Sequence, residues 1–124
     1  GKIMAEKVDR LTRVNELLKR EIANAIERGL ITAPGMLVSV TEVNTSVDLR
    51  NATVYVSIFG GDNAARRKVM NELGEQRLDF QRKLARTLAF KHTPVLDFRL
   101  DTRIEKGDRV FELLNEVENH DKHE

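Results

Sequence analysis

Eight basic side chains fall within residues 64–92: Arg66, Arg67, Lys68, Arg77, Arg82, Lys83, Arg86 and Lys91. Only Glu72, Glu75 and Asp79 oppose them, which leaves +5 on that stretch. The rest of the chain differs: residues 1–63 carry eight charges of each sign, and residues 93–124 carry five basic and nine acidic. A formal total of +1 thus conceals a positive middle and a negative end. Segmental polarity of this kind suits an anionic partner for the middle segment. The chemistry on offer is recognition, because guanidinium groups donate hydrogen bonds and stay protonated at any ordinary pH.

Spacing gives the charges a direction. In "NELGEQRLDFQRKLARTL", residues 71–88, Phe80, Leu84 and Leu88 recur every four residues. Arg82, Lys83 and Arg86 then fall on the opposite side of a helix, within about 100°. Upstream, Ala65, Val69, Met70 and Leu73 define a second apolar side, with Arg67 and Lys68 turned away from it. Gly74 lies between the two patterns. A glycine inside a helix costs about 1 kcal/mol relative to alanine, so it predicts a kink or break there. A helix that starts at a break presents unpaired N–H groups and the positive end of its dipole, both suited to phosphate oxygens. The candidate anion-binding set is therefore Arg67, Lys68, Arg77, Arg82, Lys83, Arg86 and Lys91, with Gly74 as the kink. Glu75 works against an anion immediately at the break. The competing reading is a solvated charged face in which Asp79 pairs with Lys83 at i,i+4.

Other chemistries find less support. The chain has no cysteine, and its three histidines are His92, His120 and His123, without metal-binding spacing. No nucleophile–base pair is visible. Asp97 and Asp101 share one side of a strand but are about 13 Å apart, too far to work as a carboxylate pair. Gly60-Gly61 is not followed by the lysine of a phosphate-binding loop. Tyr55 and Phe59 can stack on bases from an open sheet face, or pack on cross-strand neighbours. We therefore expect no catalysis, cofactor or metal. No apolar run approaches the roughly 20 residues that span a bilayer, and no signal peptide is visible. A reduced, cytoplasmic compartment fits these features.

The elements that must position these residues are legible by periodicity. Residues 5–29 form an amphipathic helix with Leu11, Val14, Leu18, Ile22, Ala25 and Ile26 on one stripe, stopped at Gly29. Residues 36–46 form a strand in which Val38 and Val40 alternate and Val43 breaks parity, which a bulge near Thr41–Glu42 restores. Residues 52–59 alternate cleanly and pair with it as a hairpin. Asp62 or Asn63 caps the next helix. The helix after Gly74 runs to about Ala89 and is stopped by the "HTP" before residue 95. Residues 95–100 make a third strand, parallel to the second through a right-handed helical crossover. Val110, Leu113, Leu114 and Val117 make a last short helix, and residues 118–124 a flexible tail. The expected fold is a single α+β domain over residues 1–124, in order α-β-β-α-α-β-α: a three-stranded mixed sheet with helices on one face. At 124 residues, one core without staples suffices.

That order is the order of a type II KH domain. Three segments also resemble the ribosome-binding factor A family: "VTEVNTSVDLRNATVYVSIFG" (40–60), "FQRKLARTLAFKHTPVLDFRLD" (80–101) and "IEKGDRVFELL" (104–114). Val43 and Asp48 ahead of the Ala52, Val54, Tyr55, Val56, Ser57 strand carry the likeness, as does the helix–Thr93–Pro94–strand–Asp101 run. The resemblance implies a cytoplasmic, non-catalytic assembly factor, a monomer when free, without membrane association. It would bind the small ribosomal subunit and its rRNA late in maturation, including processing of the rRNA 5′ region, and matter most in the cold. It also implies RNA contact through the helix–kink–helix face. Gly74-Glu75-Gln76-Arg77 retains only the first glycine of the G-x-x-G loop of ordinary KH domains. Arg77-Leu78-Asp79 departs from the family's Ala-x-Gly kink, whereas Arg82 matches the family's arginine. The alternative function is a protein-interaction module without RNA binding, built on the first helix and the acidic end.

Overall fold

The computed structural model describes the backbone of residues 2–103 and the side chains of residues 9–103. The expected last helix (Val110, Leu113, Leu114, Val117) and the tail at 118–124 lie outside the described residues. The elements run α1 (Lys2–Glu27), β1 (Leu37–Thr45), β2 (Asn51–Phe59), α2 (Asn63–Glu75), α3 (Arg77–Thr87) and β3 (Val95–Leu100). The sheet order is β1-β2-β3, with β1 antiparallel and β3 parallel to β2. This is the expected mixed sheet and α+β class.

α1 ends where its sequence permits a left-handed residue. Gly29 takes φ 93°, its N–H donates to Ile26 O, and Leu30 N–H reaches back to Ala25 O. These two bonds satisfy carbonyls of the last turn, and only glycine takes that φ without strain. Val14, Leu18, Ile22 and Ala25 are buried along one stripe, which α1 lays over β1.

The strand pairing shifts register between Val40 and Glu42, so Thr41 is the extra residue of a bulge. The shift brings Val43 back onto the face of Val40, and both are buried. The turn between β1 and β2 is built by Asp48, whose carboxylate accepts from Ser46 Oγ (2.6 Å) and Arg50 N (3.1 Å). Those two bonds, the Ser46 hydroxyl first, hold the Asp48 carboxyl below its ordinary pKa. Leu49 takes φ 62° in this turn and packs against the core.

One face of the sheet is apolar throughout. Ala52, Val54, Val56 and Leu96 are at most 1% exposed and meet Val69, Leu73, Phe80 and Leu84 of the helices above. Phe80 and Phe98 tie α3 to β3, with ring centroids 5.1 Å apart and planes tilted by 54°. The other face carries Thr53, Tyr55, Ser57 and Phe59 of β2.

The expected stop of α3 is corrected. The helix ends at Thr87, where Leu88 turns to extended backbone (φ −114°, ψ 142°). Pro94 lies too far downstream to be the cause. Leu88 and Phe90 instead leave the helix to pack against the core, while Thr87 Oγ1 donates to Lys83 O (2.9 Å).

Candidate nucleic-acid interface

The outward surface of α2 and α3 is where sequence reading places the site. Asp62 caps α2: its side chain accepts from Ala65 N at 2.8 Å. Val69 and Leu73 then anchor the helix inward, so Arg67 and Lys68 stand exposed. In α3, Phe80 and Leu84 are the inward pair, which leaves Arg77, Arg82 and Arg86 exposed and Lys83 half-buried. A lysine in that setting lays its stem along the apolar surface and keeps its ammonium in water. Lys91 lies beyond the helix and is exposed. The structure thus gathers six of the seven predicted cations on two consecutive helices, with Lys91 just past them.

The expected kink at Gly74 is corrected. α2 continues through Gly74 to Glu75, and the break is at Gln76, with φ −91° and ψ 9°. Any residue can adopt that bridge conformation, so the break needs no glycine. Gly74 has helical backbone, and a Cβ placed on it meets nothing within 4 Å. Gln76 serves both helices at once: its N–H donates to Glu72 O (2.8 Å) and its O accepts from Phe80 N (3.0 Å). The break immediately precedes Arg77-Leu78-Asp79, the positions that depart from the family kink. Leu78 there is 56% exposed.

Of the three acidic residues of this stretch, Glu72 is committed elsewhere and Asp79 is paired within the face. Both Glu72 carboxylate oxygens accept from Thr32 N at 3.1 Å, which ties the α1–β1 loop to α2. Asp79 Oδ1 pairs with Arg82 Nη1 at 2.8 Å, not with Lys83. The i,i+3 partner wins here over the expected i,i+4 one. Both members are exposed, so the pair is worth at most about 1 kcal/mol and is open to competition by another anion. Glu75 is exposed. Among the described residues, no carboxylate pairs with Arg67, Lys68, Arg77, Lys83, Arg86 or Lys91. Arg66, by contrast, is tied down: it donates to the carbonyls of Gly60 and Gly61 and to Asn63 Oδ1.

Gly60 and Gly61 serve that turn. Both have positive φ, and a Cβ on them would come within 2.7 Å of Gly35 O and 2.6 Å of Met36 Sδ respectively. The loop is a close-packed corner.

A second polar cluster was not foreseen. Arg103 donates to Glu42 Oε1 (2.6 Å) and to Asp101 Oδ1 (3.2 Å), and its guanidinium lies 5.4 Å from the centroid of the Tyr55 ring. Asp101, only 4% exposed, also accepts from Thr41 Oγ1. The Thr41 hydroxyl first, and Arg103 second, push the Asp101 carboxyl below the usual range. Arg103, then Asn44, does the same for Glu42. Tyr55 is therefore already engaged by a cation, not free to stack. Asp97 is separate, paired with Arg99 at 2.9 Å. The signals for this cluster were the bulge and Asp101 taken together, but no periodicity links residues 42 and 103. Among the described residues, no group of acidic or histidine side chains is placed to hold a metal ion, and no helix is long and apolar enough to cross a membrane.

Fold and site together define a type II KH-like α+β domain whose helix pair turns its cations outward. The profile of the family described as ribosome-binding factor A matches residues 10–114. The chain belongs to that family. A ribosome-binding factor A from Moorella thermoacetica is 41% identical over 108 residues, covering 85% of this chain and 87% of the relative. The crystal structure of ribosome-binding factor A from Thermus thermophilus superposes with a TM-score of 0.60 at 26% identity, covering 73% of this chain and 94% of that one. Thermus thermophilus ribosome binding factor A as fitted into a cryo-EM map of a 30S–RbfA complex gives 0.56 at 28% identity, with coverage of 68% and 88%.

Proposed function

We propose that this chain is a non-catalytic assembly factor that binds the small ribosomal subunit and its rRNA through the outward face of α2 and α3. The observation that carries the reading is a set of cations without a carboxylate partner among the described residues: Arg67, Lys68, Arg77 and Arg86 exposed on the two helices, Lys83 half-buried beside them, and Lys91 exposed past α3, with Arg82 held only by an exposed partner. Such groups exchange weakly bound counterions for phosphates at little cost. The 30S complex of the Thermus relative supports the choice of the small subunit as partner. Family membership supports action late in maturation, including processing of the rRNA 5′ region, in the cytoplasm, by a protein that is a monomer when free, with the greatest need in the cold.

The test is co-sedimentation of the purified chain with immature and mature small subunits across a salt series. Preferential, salt-sensitive capture by immature subunits is the expected result. Sedimentation that ignores salt, or no association at all, would reject the reading and return the protein-interaction alternative.

A further inference from the structure

We infer that the outer edge of β3 is a docking site for an extended, acidic–apolar segment of a partner protein, which joins the sheet as a further strand. Val95 N donates to Arg50 O and Asp101 N to Val56 O, both at 2.8 Å, so the odd-numbered residues of β3 direct their backbone groups at β2. The even-numbered ones, Leu96, Phe98 and Leu100, turn N–H and C=O outward. Leu96 N reaches only a side chain, Gln81 Oε1 at 3.3 Å. Among the described residues, nothing accepts from Phe98 N or Leu100 N.

The opposite edge of the sheet is protected. β1 carries the bulge at Thr41, and Asn15 Oδ1 takes the outward N–H of Thr45 at 2.9 Å. Bulges and covering side chains discourage strand addition. β3 pairs in regular register and contains no bulge, proline or lysine.

The edge itself names the occupant. Free donors at every second residue, about 6.6 Å apart, match the carbonyls of an extended chain. Single-stranded nucleic acid asks for an aromatic platform. The one ring in β3, Phe98, is already packed against Phe80, with centroids 5.1 Å apart. The Gln81 bond shows which side of α3 overlooks this edge. Leu78 lies one turn back on that side, 56% exposed, and Leu100 is 36% exposed at the end of the strand. Both offer contact to an apolar side chain of the incoming strand. Arg77 and Arg82 flank Leu78 and are exposed, so an acidic neighbour of that side chain complements them.

Amide exchange of the full-length chain, followed by nuclear magnetic resonance, is the test. In the free protein, the Phe98 and Leu100 amides are expected to exchange at least tenfold faster than those of Asp97 and Arg99. Equal protection would mean an edge already covered and would overturn the proposal. A capped synthetic peptide of alternating valine and glutamate is expected to slow the two fast amides about tenfold. Leu100→Pro removes one outward donor and leaves the β2 ladder intact, because an edge strand tolerates proline where its N–H faces solvent. It is expected to weaken peptide affinity about tenfold. Gln81→Ala frees Leu96 N and is expected to tighten it about threefold. Unchanged affinity in either variant, or no peptide binding, would overturn the proposal. So would protection of the same amides by a single-stranded uridine oligonucleotide and not by the peptide, which would assign the edge to RNA.

Discussion

Thr41 and Asp101 are 60 residues apart in sequence, yet the Thr41 hydroxyl donates to Asp101 Oδ2 at 2.6 Å. The same hydroxyl lies 3.2 Å from Tyr55 O, so the bulged residue of β1 reaches across β2 to the end of β3. The bulge, a local irregularity, thus holds the two outer strands together.

This contact makes the fold sensitive to acid. The native Asp101 carboxyl titrates below its unfolded value of about 3.9. A group depressed in this way contributes stability above the unfolded value and loses it as pH falls through the native one. Asp101→Asn is expected to lower stability at neutral pH by about 1–3 kcal/mol. It is also expected to flatten the dependence of melting temperature on pH below about 4. Thermal melts of both proteins across that range check this; parallel curves would remove Asp101 from the acid response.

The cation face predicts a salt law. With about five phosphates engaged, log affinity for the subunit is expected to fall against log salt with a slope of roughly −3.5 to −4.5. Arg82→Glu with Arg86→Glu is expected to weaken binding and flatten that slope while the far-ultraviolet spectrum is retained. Unchanged affinity would exclude these two residues from the interface.

Asp79 supplies a converse experiment. It holds Arg82 in an exposed pair, and it places a negative charge on the proposed RNA surface. Asp79→Asn is expected to tighten subunit binding a few-fold at low salt and to change stability by less than about 1 kcal/mol. Weaker binding in filter assays would mean that Asp79 orients Arg82 for RNA.

Gly74 tests where the break lies. Its backbone is helical and the space for a methyl group is empty. Gly74→Ala is expected to stabilise the domain by about 0.4–1 kcal/mol in urea denaturation, with subunit binding unchanged. A loss of stability would relocate the strain of the helix pair to Gly74.

Much of this architecture was legible because it is periodic or chemically marked. The parity break at Val43 announced the bulge, Asp62 announced the start of α2, and the four-residue spacing of Phe80 and Leu84 announced the buried side of α3. The break at Gln76 was hidden, because a bridge conformation demands no particular residue and Gly74 offered a stronger local signal. The end of α3 was hidden too, since Leu88 leaves the helix for tertiary packing that no local rule encodes. Asp79 has basic residues at both three and four positions downstream, and rotamers chose between them. The union of Glu42, Asp101 and Arg103 depends on strand order, which brings together residues that the sequence keeps far apart.

Gln76 is at once the last cap of α2 and the first cap of α3, so no loop separates the two cationic rows. They cannot swing independently, and little freedom is left to surrender when a ligand arrives. On the proposed reading, the surface acts as a fixed calliper, set to a distance between phosphates. On that same reading, folded rRNA is selected by the shape of its backbone, whatever bases it carries.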